Sequence, residues 1–467
     1  MESEQEPQKE HSSESAAGAG SRQVSALRQS DAPVVIISVE DTGNVGEFIP
    51  ALAQVGALPV LLRAILTAEQ ILQPARIIIS IPSPAGCLVK QQLIGTGRLP
   101  RCVEWHETVS GNDLGVLLRE VAATADRIVL LSGTSIYKPT LLQILSECEP
   151  MNVVFKTVAQ PAGIYAMSGA TARQFADRSR HAFEDVGEWM AANCYATIGP
   201  APREEWQTTR TPEDVIAAEH KLDSWLMKPT DGMWARMNRR ISIPISRQLI
   251  KFPISPNVVT LLILGVSVAS GTFFARGGYW NMLLGAFLSV WSSILDGCDG
   301  EVARLKLQSS ELGCWLDTIC DYLYYILVFV GITWGLKRTS GDIYLVWGVA
   351  LVVGTLLSSS VVGWMRRRVA ADHPEKFLAR FHSEAEGRSS NPLMFLARNT
   401  EFIIRRCFFP NVLLVAALLN IIKPIFLMTA VGANLVWIIA LYSAFALSGR
   451  KRNPQAVGSP IPASAHD

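Results

Sequence analysis

The chain has 467 residues, a formal net charge of +1 and 18% charged residues, so its bulk electrostatics exclude nucleic acid as an expected partner. Its length allows two or three domains. The eight cysteines include no CxxC pair and no zinc-type Cys/His spacing, which excludes a disulfide framework.

The opening MESEQEPQKEHSSESAAGAGSRQ has no apolar core of the signal-peptide kind, and residues 1–31 are expected to form a polar, disordered leader. From Ala32 the pattern changes. PVVIISV (Pro33–Val39), LPVLLRAILTAEQIL (Leu58–Leu72) and ARIIISIPS (Ala75–Ser83) predict strand, helix and strand. GVLLREVAATA, RIVLLSG (Arg127–Gly133) and PTLLQILSECE then predict helix, strand and helix. Short apolar strands alternating with amphipathic helices predict a soluble α/β domain with a mainly parallel sheet over 32–222.

Residues 223–255 form a linker in which Trp225, Met233, Trp234 and Met237 mix with Arg236, Arg239, Arg240, Arg247 and Lys251. Such a mixture just before a membrane span predicts an interfacial amphipathic helix. Six spans follow within 256–448: Asn257–Ala275, Trp280–Leu295, Leu312–Leu336, Ile343–Met365, Phe408–Ile422 and Ile425–Leu447. Lys and Arg concentrate before the first span, between the fourth and fifth (Arg366–Arg368, Arg405, Arg406), and in the tail 449–467 that begins GRKR. The other side holds only Arg276, Lys337, Arg338 and Lys423. This asymmetry predicts a multi-pass cell-membrane protein with both termini, the soluble domain and the site described next on the cytoplasmic side.

Between spans two and three the sequence reads ILDGCDGEVARLKLQSSELGCWLDTICDYLYY. Asp296 and Asp299 are three residues apart and Asp317 and Asp321 four, so each pair shares a helix face. Acids in a span are costly and mark function, and four converging carboxylates repel unless a cation sits among them. Oxygen-only ligands favour Mg²⁺ or Mn²⁺. Gly297, Gly300, Ala303 and Gly313 remove bulk where helices or a phosphate must approach. The acids alone leave a cation or proton path in a transporter equally open.

The full pattern resembles the CDP-alcohol phosphotransferase motif D-x2-D-G-x2-A-R-x8-G-x3-D-x3-D, with every fixed position present. SPNVVT before span one is similar to a second family segment. The resemblance covers roughly Lys251–Leu447 and implies a six-helix transmembrane domain. It implies that Asp296 and Asp317 each touch both ions of a two-metal site, that Asp299 and Asp321 complete the two shells, and that Asp321 is the general base. Asn257, Thr260, Gly300, Arg304 and Ser310 are implied to hold the CDP portion. The implied partners are a CDP-linked donor (CDP-diacylglycerol or a CDP-polyol), an alcohol or polyol-phosphate acceptor, membrane lipid and a second copy of the chain. An acceptor phosphate could meet Arg239, Arg240, Arg366–Arg368, Arg405 or Arg406, residues that the sidedness of the membrane explains equally well. A transporter would scatter acids among its spans, whereas spans one, four, five and six carry none in their interiors.

VGALPVLLRAI and TRTPEDVIAAEHKL resemble sugar-phosphate nucleotidyltransferases. The whole arrangement is similar to fusions of an inositol-phosphate cytidylyltransferase with a di-inositol-phosphate phosphate synthase. The departures predict a degenerate, non-catalytic domain. SVEDTGNVGEFIPALAQVGALP lacks any Lys or Arg for a triphosphate, LLSGTSIY lacks the metal-binding Asp, and Arg210 and Thr211 stand where another is expected. Glu213 and Asp214 read as helix-start residues.

Overall fold

The computed structural model describes residues 32–39, 48–83, 85–108, 113–147, 152–156, 161–178, 182–193, 197–200, 204–227, 231–369 and 407–448. The predicted leader, the 449–467 tail, and Arg405 and Arg406 lie outside them. The chain forms two compact units, Met1–Lys228 with Arg304–Gln308, and Pro229–Ala303 with Ser309–Asp467.

The first unit is built in chain order from β1 (Val34–Ser38), α1 (Val60–Leu72), β2 (Arg76–Pro82), α2 (Ala85–Gly95), β3 (Val103–Thr108), α3 (Asp113–Ala122) and β4 (Arg127–Ser132). It continues through α4 (Pro139–Glu147), β5 (Val153–Lys156), β6 (Pro161–Ser168), α5 (Gly169–Ala176), α6 (Phe183–Asn193), β7 (Thr197–Pro200) and α7 (Pro212–Leu226). The strands form one seven-stranded sheet in the order β7-β5-β6-β4-β1-β2-β3. The central strand β1 is buried along its whole length, and Ile36 pairs in parallel with Ile78 on one side and Leu130 on the other. An uninterrupted Val/Ile run suits a strand covered on both faces. Because successive side chains point to opposite faces, Val35 and Ile37 join the core beneath α1 with Leu61 and Ile65. Val34 and Ile36 join the other core with Leu118, Tyr165 and Phe175.

The expected parallel sheet is interrupted at β6, which runs antiparallel to both β4 and β5. Only four residues separate β5 from β6, too few for a parallel crossover, which needs a dozen or more.

The short Arg304–Gln308 segment belongs to this unit through its backbone. Arg63, 3% exposed, donates to the carbonyls of Val55, Gly56 and, at 2.5 Å, Leu305. Arg98 donates to the carbonyls of Lys306 and Leu307 at 2.7 and 3.2 Å, and Gln70 to that of Leu307.

The second unit is helical: α8 (Met233–Leu249), α9 (Pro256–Arg276), α10 (Tyr279–Leu305), α11 (Glu311–Ser340), α12 (Ile343–Val369), α13 (Phe409–Leu418) and α14 (Ile422–Ser448). Among the described residues, α9, α10, α11 and the 343–361 part of α12 are long and apolar enough to cross a membrane. The shorter apolar α13 and the apolar α14 fall where the last two spans are predicted. Helix α8 has two unlike faces. Met233, Met237 and Ile241, four residues apart, are exposed along one stripe, while Ser242, Ile243 and Ser246 are buried.

Close helix approach depends on glycine here. A Cβ on Gly271 of α9 would meet the Leu327 carbonyl of α11 at 2.7 Å, and side chains at Gly331 or Gly335 of α11 would run into the α9 backbone. Buried hydroxyls tie the remaining faces: Ser267 to Ser292 at 2.8 Å, Ser270 to the Gly285 carbonyl at 2.7 Å, and Ser289 to Tyr324. Phe274, Tyr324, Phe329, Phe409 and Phe426 fill the centre.

Candidate metal centre

The acidic residues are delivered by the last turns of α10 and the first turns of α11. Helix α10 starts in the apolar run after Gly278 and carries its acids near its C-terminal end, so they sit close to one end of the span. Ser310 begins α11 in extended backbone, its Oγ accepting from Gly313 N at 3.0 Å, which satisfies one of the first turn's free N–H groups.

Asp296, Asp317 and Asp321 converge. Each offers a carboxylate oxygen, these oxygens lie within 4.8 Å of one another, and all three side chains are half-buried. No His or Cys belongs to this group. Three carboxylates at this range repel and call for a cation, and an oxygen-only set suits a hard divalent ion such as Mg²⁺ or Mn²⁺. The residues present therefore fit the metal that the sequence implies.

Asp299 is not one of these three mutually close acids. It is buried, at 7% exposure, and Thr260 Oγ1 donates to its Oδ2 at 2.7 Å while the Gly300 N–H reaches its Oδ1 at 2.5 Å. Thr260, predicted to hold the donor, is thus also the residue that holds Asp299. Asn257 and Ser310 lie side by side, since a Cβ added to Gly313 would meet Ser310 Oγ at 3.1 Å and Asn257 Oδ1 at 3.2 Å. Gly300 lies within α10 and Arg304 closes it one turn later.

Sequence reasoning missed Glu301. It is fully buried and accepts three hydrogen bonds from α8. Ser242 Oγ and Arg239 Nη1 reach its Oε1 at 2.7 and 3.0 Å, and Ser246 Oγ reaches its Oε2 at 2.7 Å. Arg239 is also paired with Asp231. This corrects one expectation: Arg239 is committed to two carboxylates and is only 12% exposed, so it does not wait for an acceptor phosphate. The signal lay in the spacing of Arg239, Ser242 and Ser246, one polar stripe on a helix otherwise rich in Ile and Met.

In the first unit the residues at the end of β4 and before α7 are internally bonded. Ser132, which ends β4, and Thr134 bond each other at 3.1 Å, and Ser132 N donates to Tyr137 Oη. Burial pushes the Tyr137 phenol well above its usual range. Thr209 Oγ1 donates to the Thr134 carbonyl, and Arg210 pairs with Glu184. Thr211 and Asp214 form a reciprocal cap at the start of α7, so Asp214 is a helix-start residue as expected. The buried Arg63 donates to backbone carbonyls.

Residues 253–384 match the family model described as CDP-alcohol phosphatidyltransferase. Among curated proteins, the chain is 28% identical over 247 residues to the bifunctional IPC transferase and DIPP synthase of Aquifex aeolicus, covering 52% of this chain and 51% of that one. It is 39% identical over 120 residues to the protein of that name from Archaeoglobus fulgidus, 25% of this chain and 24% of that one. It is 34% identical over 134 residues to the phosphatidylinositol phosphate synthase of Mycobacterium tuberculosis, 28% of this chain and 58% of that one. The chain thus spans about half or less of the bifunctional relatives it matches. Among solved structures, the inositol-1-phosphate CTP transferase from T. maritima aligns with 41% of this chain and 96% of its own at 12% identity and a TM-score of 0.33.

Proposed function

We propose that this chain, whose residues 253–384 form a CDP-alcohol phosphatidyltransferase domain, is an integral-membrane phosphotransferase. It moves a substituted phosphate group from a CDP-linked donor to an alcohol and releases CMP. The observation that carries this reading is the convergence of Asp296, Asp317 and Asp321 within 4.8 Å, on the motif that the family model covers. Acids are confined to α10 and α11 among the apolar helices, as a reaction centre requires and a conduction path does not.

Two Mg²⁺ or Mn²⁺ ions, held by Asp296, Asp317 and Asp321 with Asp299 completing one shell, would neutralise the donor pyrophosphate and the departing CMP. The chain's own residues do the rest. Asn257, Thr260, Gly300, Arg304 and Ser310 hold the CDP portion at the mouth of α9, α10 and α11. Asp321 takes the proton of the acceptor hydroxyl through a carboxylate oxygen. The freed oxygen attacks the phosphorus on the alcohol side of the pyrophosphate, forming one P–O bond as the P–O bond to CMP breaks. Asp321 lies one turn beyond Asp317 on α11, and in this reading it is the acid of the cluster that serves the acceptor.

In this reading the domain spans the membrane six times, with α13 and α14 as the last two spans, its termini and site face the cytoplasm, a second copy of the chain is a partner, and the first unit is non-catalytic. The Mycobacterium relative is named for phosphatidylinositol phosphate, which makes a phosphorylated polyol the first acceptor to test. The test incubates purified chain with Mg²⁺, CDP-diacylglycerol or CDP-inositol, and a panel of alcohols and polyol phosphates while CMP is followed. CMP release that depends on both donor and acceptor is expected, and its absence with every pair would overturn the reading.

A further inference from the structure

The acids of α10 divide between two faces of one helix. With about 100° between successive residues, Asp296, Asp299, Gly300 and Ala303 share one side, and Gly297 and Glu301 lie next to it on the side that meets α8. Contacts along that second side are close. Asn238 Nδ2 reaches Ser293 Oγ at 3.4 Å, the Cys298 thiol reaches the Ser242 carbonyl at 3.7 Å, and Ser242 and Glu301 close over Gly297.

We propose that Glu301 is a positioning residue for the reaction: locked to α8 by Arg239, Ser242 and Ser246, its carboxylate fixes the rotation and height of α10 that turn Asp296 toward Asp317 and Asp321 and Asp299 toward Thr260. This rests on the phosphotransferase reading above.

A buried carboxylate costs free energy unless it is paired and its lone pairs are filled. Here both oxygens are filled, Oε1 by Ser242 and Arg239 and Oε2 by Ser246, and Arg239 supplies the opposite charge. An apolar residue at 301 would bury as well, but it would fix neither coordinate of α10, because apolar contact is non-directional. Three directional donors, spaced along α8 at residues 239, 242 and 246, define both. The setting matters because Asp299 lies two residues before Glu301 on the same helix and accepts from a hydroxyl on α9 at 2.7 Å, a contact that a small rotation would break.

The test uses the purified full chain and two variants, Glu301→Gln and the double variant Ser242→Ala/Ser246→Ala. Mn²⁺ binding is read from the paramagnetic resonance of free Mn²⁺, independently of turnover. Mn²⁺-supported CMP release is measured beside it, and size-exclusion elution reports folding. Supporting groups around metal ligands set affinity by about 10–100-fold. Glu301→Gln is therefore expected to bind Mn²⁺ about tenfold more weakly and to lose kcat, with donor KM little changed at saturating metal. The serine variant is expected to shift the same way by less. Wild-type Mn²⁺ affinity and rate in folded variants would show that Glu301 only fills space, and if Glu301→Gln does not fold, the serine variant decides alone. Wild-type chain that neither binds Mn²⁺ nor releases CMP would take down the phosphotransferase reading and this inference with it. A failure confined to the variants leaves that reading standing.

Discussion

Thr260 Oγ1 donates to Asp299 Oδ2 at 2.7 Å, joining α9 to α10 with a hydroxyl that is itself buried. The bond ties the segment predicted to hold the donor to an acid predicted to hold metal, so the two sites are one mechanical unit. Replacing Thr260 by Val keeps the shape and removes the donor, and a hydrogen bond to a charged group contributes about 1.5–3 kcal/mol. Thr260→Val is therefore expected to raise both the Mg²⁺ concentration for half-maximal CMP release and the donor KM. A change in donor KM alone would separate the two sites.

Metal dependence follows from the cluster. Three carboxylates with oxygens within 4.8 Å cannot hold a pyrophosphate without counter-charge. CMP release should stop with excess chelator and return on adding Mg²⁺ or Mn²⁺. Full turnover in chelator would remove the metal from the mechanism.

Much of this was legible in the residues. The Val/Ile run of β1 dictated a central buried strand, and acids three and four residues apart dictated shared helix faces. Spacing, however, only places side chains on faces. It did not distinguish Asp299, held by Thr260, from Asp296, which meets the acids of α11. It gave Glu301 no role, because an acid near a helix end reads as solvated until α8 is folded against it. The antiparallel β6 was hidden for a similar reason: strand direction depends on connection length, which the pattern within a strand does not carry.

The approach of α9 and α11 gives a stability prediction. Gly331 faces the backbone of Gly271 so closely that any Cβ forces the helices apart. Gly331→Leu should abolish a monodisperse elution peak in detergent, whereas Gly265→Ala, at an open position on α9, should elute as wild type. A folded Gly331→Leu protein would show that the close helix pair is dispensable.

The first unit should not make a CDP-alcohol. Ser132 is bonded to Thr134 and Tyr137, and Arg63 to carbonyls, so these groups are engaged within the domain. Full-length chain given CTP, Mg²⁺ and a polyol or sugar phosphate is expected to release no pyrophosphate above a heat-inactivated control. Pyrophosphate formation that tracks protein concentration would make the domain an enzyme.

Asp317 and Asp321 share a face of α11 and the same cluster, yet their substitution should fail differently. Asp317 is expected to serve metal alone, so Asp317→Asn should lose Mn²⁺ binding and CMP release together. Asp321 has the further task of taking the acceptor's proton, and an amide cannot accept it at neutral pH. General-base removal costs about 10²–10⁴-fold in rate, so Asp321→Asn should lose kcat on that scale at saturating Mn²⁺ and donor. Its donor affinity should fall less than that of Asp317→Asn, because the other ligands still gather the pyrophosphate. The measurement is donor binding to each variant by equilibrium titration, set beside single-turnover rates at saturating metal. Equal losses of donor affinity, with no additional loss of rate in Asp321→Asn, would leave Asp321 a metal ligand without a role in proton transfer.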